Sequence, residues 1–173
     1  MPNVHGIRDF NLLVLSSDGT PTTTQGLVTK VDLPVIEREF DSDARSGFPG
    51  IVSYAQGFKE MECSLTLKGV SRTLEDALLA SINGEVSLQL SAAAESDDGS
   101  ILAYIVTMRG SVMQLPTGLS LTPQENAETT FSMRVNYYAR TFGGSTFVYD
   151  PRNNVFSVNG TDYLLAKRTA LGV

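Results

Sequence analysis

From Glu60 to Lys68 the chain alternates strictly: Glu60, Glu62, Ser64, Thr66 and Lys68 interleave with Met61, Cys63, Leu65 and Leu67. Successive side chains of a strand point to opposite sides of a sheet, so this segment has one apolar face and one wet face. The same period recurs at Glu85-Val86-Ser87-Leu88-Gln89-Leu90. It recurs again where Phe131, Met133, Val135 and Tyr137 interleave with Ser132, Arg134 and Asn136. An earlier strand carries Leu27, Val31, Leu33 and Val35 on one face, with Lys30 and Asp32 opposite. Pro34 has no ladder donor, which places it at an edge or bulge. The segment Ile101–Met108 is apolar on both faces and calls for cover on each side.

Two helices break the strand pattern. Over Ser71–Asn83, Leu74, Ala77, Leu78 and Ile82 share one helical face. Thr73 and Asp76 have near-capping-box spacing, and Asn83-Gly84 is a stop signal. At the C-terminal end, Asn159-Gly160 predicts a turn, with Thr161 or Asp162 capping a helix to about Leu171. Asp97-Asp98-Gly99 and Gly143-Gly144 predict hairpin turns. Residues 41–57, with Gly47, Pro49, Gly50 and Gly57, read as a long inter-strand connection, and Leu115–Pro123 as a second. The expected fold is α+β, mainly β: six to eight strands as a β-sandwich or small barrel, with a flanking helix and a C-terminal helix. Residues 1–173 form one domain, with 1–26 as its N-terminal segment.

The inventory for chemistry is thin. One histidine, His5, and one cysteine, Cys63, exclude an intrachain disulfide and fall short of the His/Cys ligands a zinc site usually takes. Cys63 sits on the apolar face of its strand and reads as an inert buried thiol. Asp97-Asp98-Gly99 lacks the further oxygen ligands that calcium requires. No cofactor, metal or catalytic residue is expected, and the chain does not read as an enzyme. The net charge of −6 is ill suited to gripping phosphates. No apolar run reaches membrane-spanning length, and Met1-Pro2-Asn3-Val4-His5 does not read as a secretory signal.

Three segments carry a family resemblance. The first runs from Leu33-Pro34-Val35-Ile36 through the Gly-rich connection to Leu65-Thr66-Leu67-Lys68-Gly69. The second is Val135-Asn136-Tyr137-Tyr138. The third runs from Val148-Tyr149-Asp150-Pro151 through Val158-Asn159-Gly160 to Leu171-Gly172-Val173. In this order and spacing the chain resembles the major tail tube proteins of contractile-tail bacteriophages and R-type pyocins. Ser46-Gly47-Phe48-Pro49-Gly50 stands where the family often has Gly-Gly-Met-Asp, and the chain has no tryptophan.

The resemblance implies a structural subunit. Six copies would form a ring whose inner strands close a shared β-barrel, and rings would stack into the inner tube of a contractile tail that conducts DNA into a host. Implied partners are further copies of the chain, a sheath protein, tape-measure, baseplate and tail terminator proteins, and DNA passing without specific binding. The particle would be a virion tail assembled in the host cytoplasm. In that frame Asp41, Asp43, Arg45, Phe48 and Tyr54 are candidate ring-stacking residues. Lys30, Asp32 and Arg38, with Glu60, Glu62 and Lys68 on a hairpin partner strand, are candidates to face the lumen. The alternatives are a tube subunit of a related contractile injection or secretion particle, and a monomeric β-sandwich binding module.

Overall fold

The computed structural model describes residues 4–15, 21–43, 50–69, 71–115 and 127–172. The strands are β1 (His5–Leu15), β2 (Pro21–Thr23), β3 (Val28–Asp32), β4 (Arg38–Asp43), β5 (Val52–Phe58), β6 (Met61–Lys68), β7 (Glu85–Ser96), β8 (Ile101–Gln114), β9 (Glu128–Phe142), β10 (Ser145–Asp150), β11 (Val155–Val158) and β12 (Thr161–Asp162). Helix α1 (Arg72–Ala80) follows β6, and α2 (Leu165–Leu171) follows β12. The fold is mainly β with two helices, as expected from the sequence, though with more strands.

One forked, ten-stranded sheet makes up most of the subunit. Its spine runs β2-β1-β7-β8-β9, all antiparallel. The far edge of β9 pairs with β6 through its first half, and β3 follows β6. Its second half pairs with β10, followed by β11 and β12. The sheet rolls on itself without closing a barrel. Buried side chains from β1 (Leu12, Val14), β6 (Met61, Cys63, Leu65, Leu67), β7 (Val86, Leu88, Leu90), β8 (Val106, Met108) and β9 (Phe131, Met133, Val135) meet in one core. Leu74 and Leu78 of α1 plug it. Thr24 donates its hydroxyl to the carbonyl of Leu12 at 2.8 Å, tying the turn before β3 back to β1.

The alternation read from sequence holds over β6, where Met61, Cys63, Leu65 and Leu67 are all buried and Glu62 and Lys68 are exposed. In β9 it breaks. Arg109 faces Tyr137 but Gly110 faces Val135, so Asn136 is an extra, bulged residue that reverses the faces downstream. Tyr138 therefore joins Val135 in the core, and Tyr137 turns outward beneath Arg109, whose guanidinium carbon lies 4.3 Å from the ring centroid. Tyr137 is not on the Phe131 face, contrary to the uninterrupted alternation. The bulge brings the backbones so close that a Cβ on Gly110 would overlap the Arg134 carbonyl.

Other boundaries differ for local reasons. β3 ends at Asp32; beyond it Pro34 is buried and Val35 is 69% exposed, the reverse of a continued strand. α1 stops at Ala80, so Ile82 falls in a turn and is exposed. Its N-cap, Ser71, makes no side-chain capping bond. At the C-terminal end β12 takes the place of the first helical turn, and α2 buries none of its residues. Ile101 at the start of β8 is 64% exposed, so the second face of that strand is open within the subunit. The Gly143-Gly144 turn is present, both residues at positive φ, joining β9 to β10.

Candidate assembly surfaces

Residues 41–57 are not a structureless connection. β4 and β5 pair antiparallel from Arg38↔Phe58 to Asp43↔Val52, forming a hairpin outside the main sheet. Phe40, Val52 and Tyr54 are strand formers, but Gly47, Pro49 and Gly50 stand between them in the sequence. Every residue of β4 is exposed, and β5 is exposed except at its two ends. Phe40 and Tyr54 are 60% and 41% exposed. Asp41 lies opposite Tyr54 and accepts a 2.9 Å hydrogen bond from Gln56. Asp43 and Tyr54 thus share the hairpin with Asp41; Arg45 and Phe48 lie outside the described residues. A lone two-stranded hairpin is marginal in water, so this one requires a surface to lie against.

The lumen candidates split into two groups. Lys30↔Thr66 and Asp32↔Ser64 align β3 with β6, so Lys30, Asp32, Glu62 and Lys68 share the face opposite the core. Lys30 bonds Asp32 at 2.7 Å, and this ammonium, with Ser64, holds the Asp32 carboxyl below its ordinary range. On the neighbouring strand Arg134 stands opposite Glu62 and bridges Glu60 at 2.8 Å, while Glu128 stands opposite Lys68. This face is a lattice of alternating charge. Arg38 is elsewhere: it belongs to the hairpin, with its guanidinium carbon 5.3 Å from the Phe58 ring centroid. The hairpin partner that supplies the β6 face is β3 alone, because the chain leaves the sheet after Asp32.

A second outward face was not singled out by sequence reasoning. Across β1, β7, β8 and β9, the rows Asn11–Ser91–Ile105–Thr141 and Leu13–Gln89–Thr107–Ala139 point away from the core. Neither row carries a charge. Its sequence signal was the polar half of the β7 alternation, Ser87, Gln89 and Ser91, which is short and neutral where the β6 alternation is charged.

Sheet margins are open. β1 pairs with β7 along its whole length, but on its other side β2 reaches only Leu13–Leu15 and Thr24 closes Leu12. From His5 to Asn11 that side has no strand partner among the described residues. β3 likewise pairs only with β6. Unpaired strand margins are templates for another chain.

Nothing among the described residues assembles into a metal cluster, and none of their helices is long and apolar enough to cross a membrane. Burial pushes the Cys63 thiol up to about 12, with the nearby Asp32 charge adding to the shift, so it is no nucleophile at neutral pH. Burial also pushes Tyr138 up to about 12. A compact polar knot at the C-terminal end is structural: Asp162 accepts from the Leu164 amide at 3.0 Å and meets Arg168 at 2.8 Å. The amide bond is the main reason its carboxyl titrates below the ordinary range.

Open margins, an uncovered hairpin and a chemically quiet interior are the features of a β-rich structural subunit. The chain belongs to the family of phage tail tube protein FII, whose model matches residues 6–172. It is a structural subunit of a virion tail tube. No curated protein matches the sequence. Among solved structures it is similar to a chain of the "Cryo-EM structure of the anti-feeding prophage (AFP) baseplate, 6-fold symmetrised". That likeness has 12% identity, 78% coverage of this chain, 93% of that one and a TM-score of 0.44, too loose to bear on function.

Proposed function

We propose that the subunit closes into hexameric rings through its open sheet margins, and that the rings stack into a tube inside a contractile sheath. The observation that carries this is the pairing of two deficits: the side of β1 away from β7 has no strand partner from His5 to Asn11 among the described residues, and the β4–β5 hairpin lies exposed on both faces. Head-to-tail pairing of one margin with a different margin on the next copy satisfies both copies and closes when the rotation fits. The free side of β3 is a second margin of suitable kind. The hairpin, with Asp41, Asp43, Arg45, Phe48 and Tyr54, supplies the ring-to-ring contact.

The tube conducts DNA without binding it. Lys30, Asp32, Glu60, Glu62 and Lys68 remain candidates for the lumen, and Arg38 goes with the hairpin. A second reading is favoured by the neutral rows across β1, β7, β8 and β9: short uncharged side chains offer phosphates nothing to hold. Changing Glu60 and Glu62 to Lys, or Ser91 and Thr107 to Lys, separates the two; whichever pair slows DNA passage while leaving tubes intact lines the channel. Tape-measure, terminator and baseplate proteins are the expected partners at the tube ends, with assembly in the host cytoplasm. The subunit needs no catalytic function for any of this.

Purified protein at high concentration tests the central reading. Sedimentation and electron micrographs are expected to show rings and tubes; monomer alone at all concentrations refutes it.

A further inference from the structure

A cavity of about 280 Å³ opens between the base of the β4–β5 hairpin and α2, lined by Arg38, Gln56, Phe58, Pro151, Asn154 and Lys167 among others. Its two cations, Arg38 and Lys167, have no acidic partner among the described residues, whereas Lys30, Lys59, Arg134 and Arg168 are each ion-paired. The Phe58 and Tyr149 rings, their centroids 5.0 Å apart and their planes tilted by 53°, form part of its wall. The cavity thus combines an apolar floor with uncompensated positive charge in a chain whose net charge is −6. It fits an acidic protrusion of a few side chains.

The opposite end of the subunit carries one. Three turns lie together there: Asp97–Ser100, Gly143-Gly144 and Asn159-Gly160. Tyr104↔Phe142 and Ser145↔Phe142 align the first two, and the Asn159 amide bonds the Thr146 carbonyl to align the third. Only the first turn is charged. Its residues are exposed, and the Asp98 carboxylate fixes its shape by accepting from the Ser100 amide and hydroxyl at 2.9 and 2.6 Å. Asp97 has no partner among the described residues. Counted along β8, β9 and β10, the turn stands about 30 Å from the cavity at about 3.3 Å per residue. It cannot enter the cavity of its own subunit.

We propose that the Asp97–Asp98 turn of one copy docks in the Arg38/Lys167 cavity of a second copy stacked on it end to end. This rests on the ring-stacking reading and adds to it one defined contact: the acidic turn of one ring meets the Arg38/Lys167 cavity of the next. Complementary charges fix the register of such a contact.

The test is a charge-swap cycle on Lys167→Glu and Asp97→Lys, both at exposed positions whose side chains make no contact that the fold needs. Circular dichroism verifies folding, and assembly is followed by sedimentation and electron microscopy in about 0.1 M salt, where screening is moderate. Each single variant is expected to form rings but to need ~tenfold more protein to stack, and the double variant to return to within about twofold of the parent. Single variants that stack like the parent, or a double as impaired as either single, overturn the contact while leaving tube assembly intact. A parent chain that never forms rings overturns the stacking reading and this contact with it.

Discussion

Replacing Gly110 by Ala tests the bulge at which the sheet changes its facing. An ideal Cβ there would overlap the Arg134 carbonyl oxygen and lie 2.8 Å from its carbon and 2.9 Å from the Val135 Cα, where ordinary contact begins at 3.4 Å. All three obstacles are backbone, so no rotamer change relieves them. The two strands must separate locally. Overpacking of this kind costs about 1–3 kcal/mol, and the ladder hydrogen bond it strains adds about 1. The expected loss is about 2–4 kcal/mol, or about 5–15 °C in Tm for a domain of this size. Gly57→Ala is the control: its Cβ would meet no atom within 4 Å, so a change within about 0.5 kcal/mol is expected. Urea unfolding monitored by tyrosine fluorescence measures both. A Gly110→Ala protein as stable as the control refutes the close approach, and with it the account of why Tyr137 and Tyr138 exchange faces.

Three further outcomes follow from the same structure. Cys63 is expected to resist an aromatic disulfide reagent at pH 8 in the native protein and to react fully in denaturant; rapid native reaction would show that the β6 face is not sealed. Asp162 has a depressed carboxyl, so its stabilisation is present above the unfolded value and is lost as pH falls through the lower folded one. Amide protection at Phe156 and Leu164, corrected for intrinsic exchange, should therefore drop as pH falls below about 4 in the parent and show no such step in Asp162→Asn. Ile7→Lys adds a charge to the open margin of β1, where Ile7 is 51% exposed. It should leave a folded monomer with normal Tm and abolish rings, whereas rings formed at the parent's concentration would remove β1 from the interface.

Much of the fold was legible because period two is hard to imitate: Met61 to Leu67 and Val86 to Leu90 went to the core as their alternation required. What failed was read where backbone geometry overrides side-chain type. Nothing in Val135-Asn136-Tyr137-Tyr138 announces a bulge, since the cause is the partner strand's Gly110, far away in sequence. The hairpin at 38–58 was hidden because Gly47, Pro49, Gly50 and Gly57 read as loop, and because its exposed faces leave no apolar stripe. The charged face of β3 and β6 was foreseen, but its ion pairs were not, since Arg134 and Glu128 reach it from β9. The neutral face of the long strands escaped notice because serine, alanine and threonine carry no chemical signature singly. Only the register of four strands collects them into one surface.

Hydrogen exchange on the β1 amides, compared between dilute monomer and assembled tube, reaches the heart of the account. Alternate amides between His5 and Asn11, those turned away from β7, should exchange freely in the monomer and become strongly protected in the tube. Equal and rapid exchange in both states would mean that neighbours do not complete this sheet.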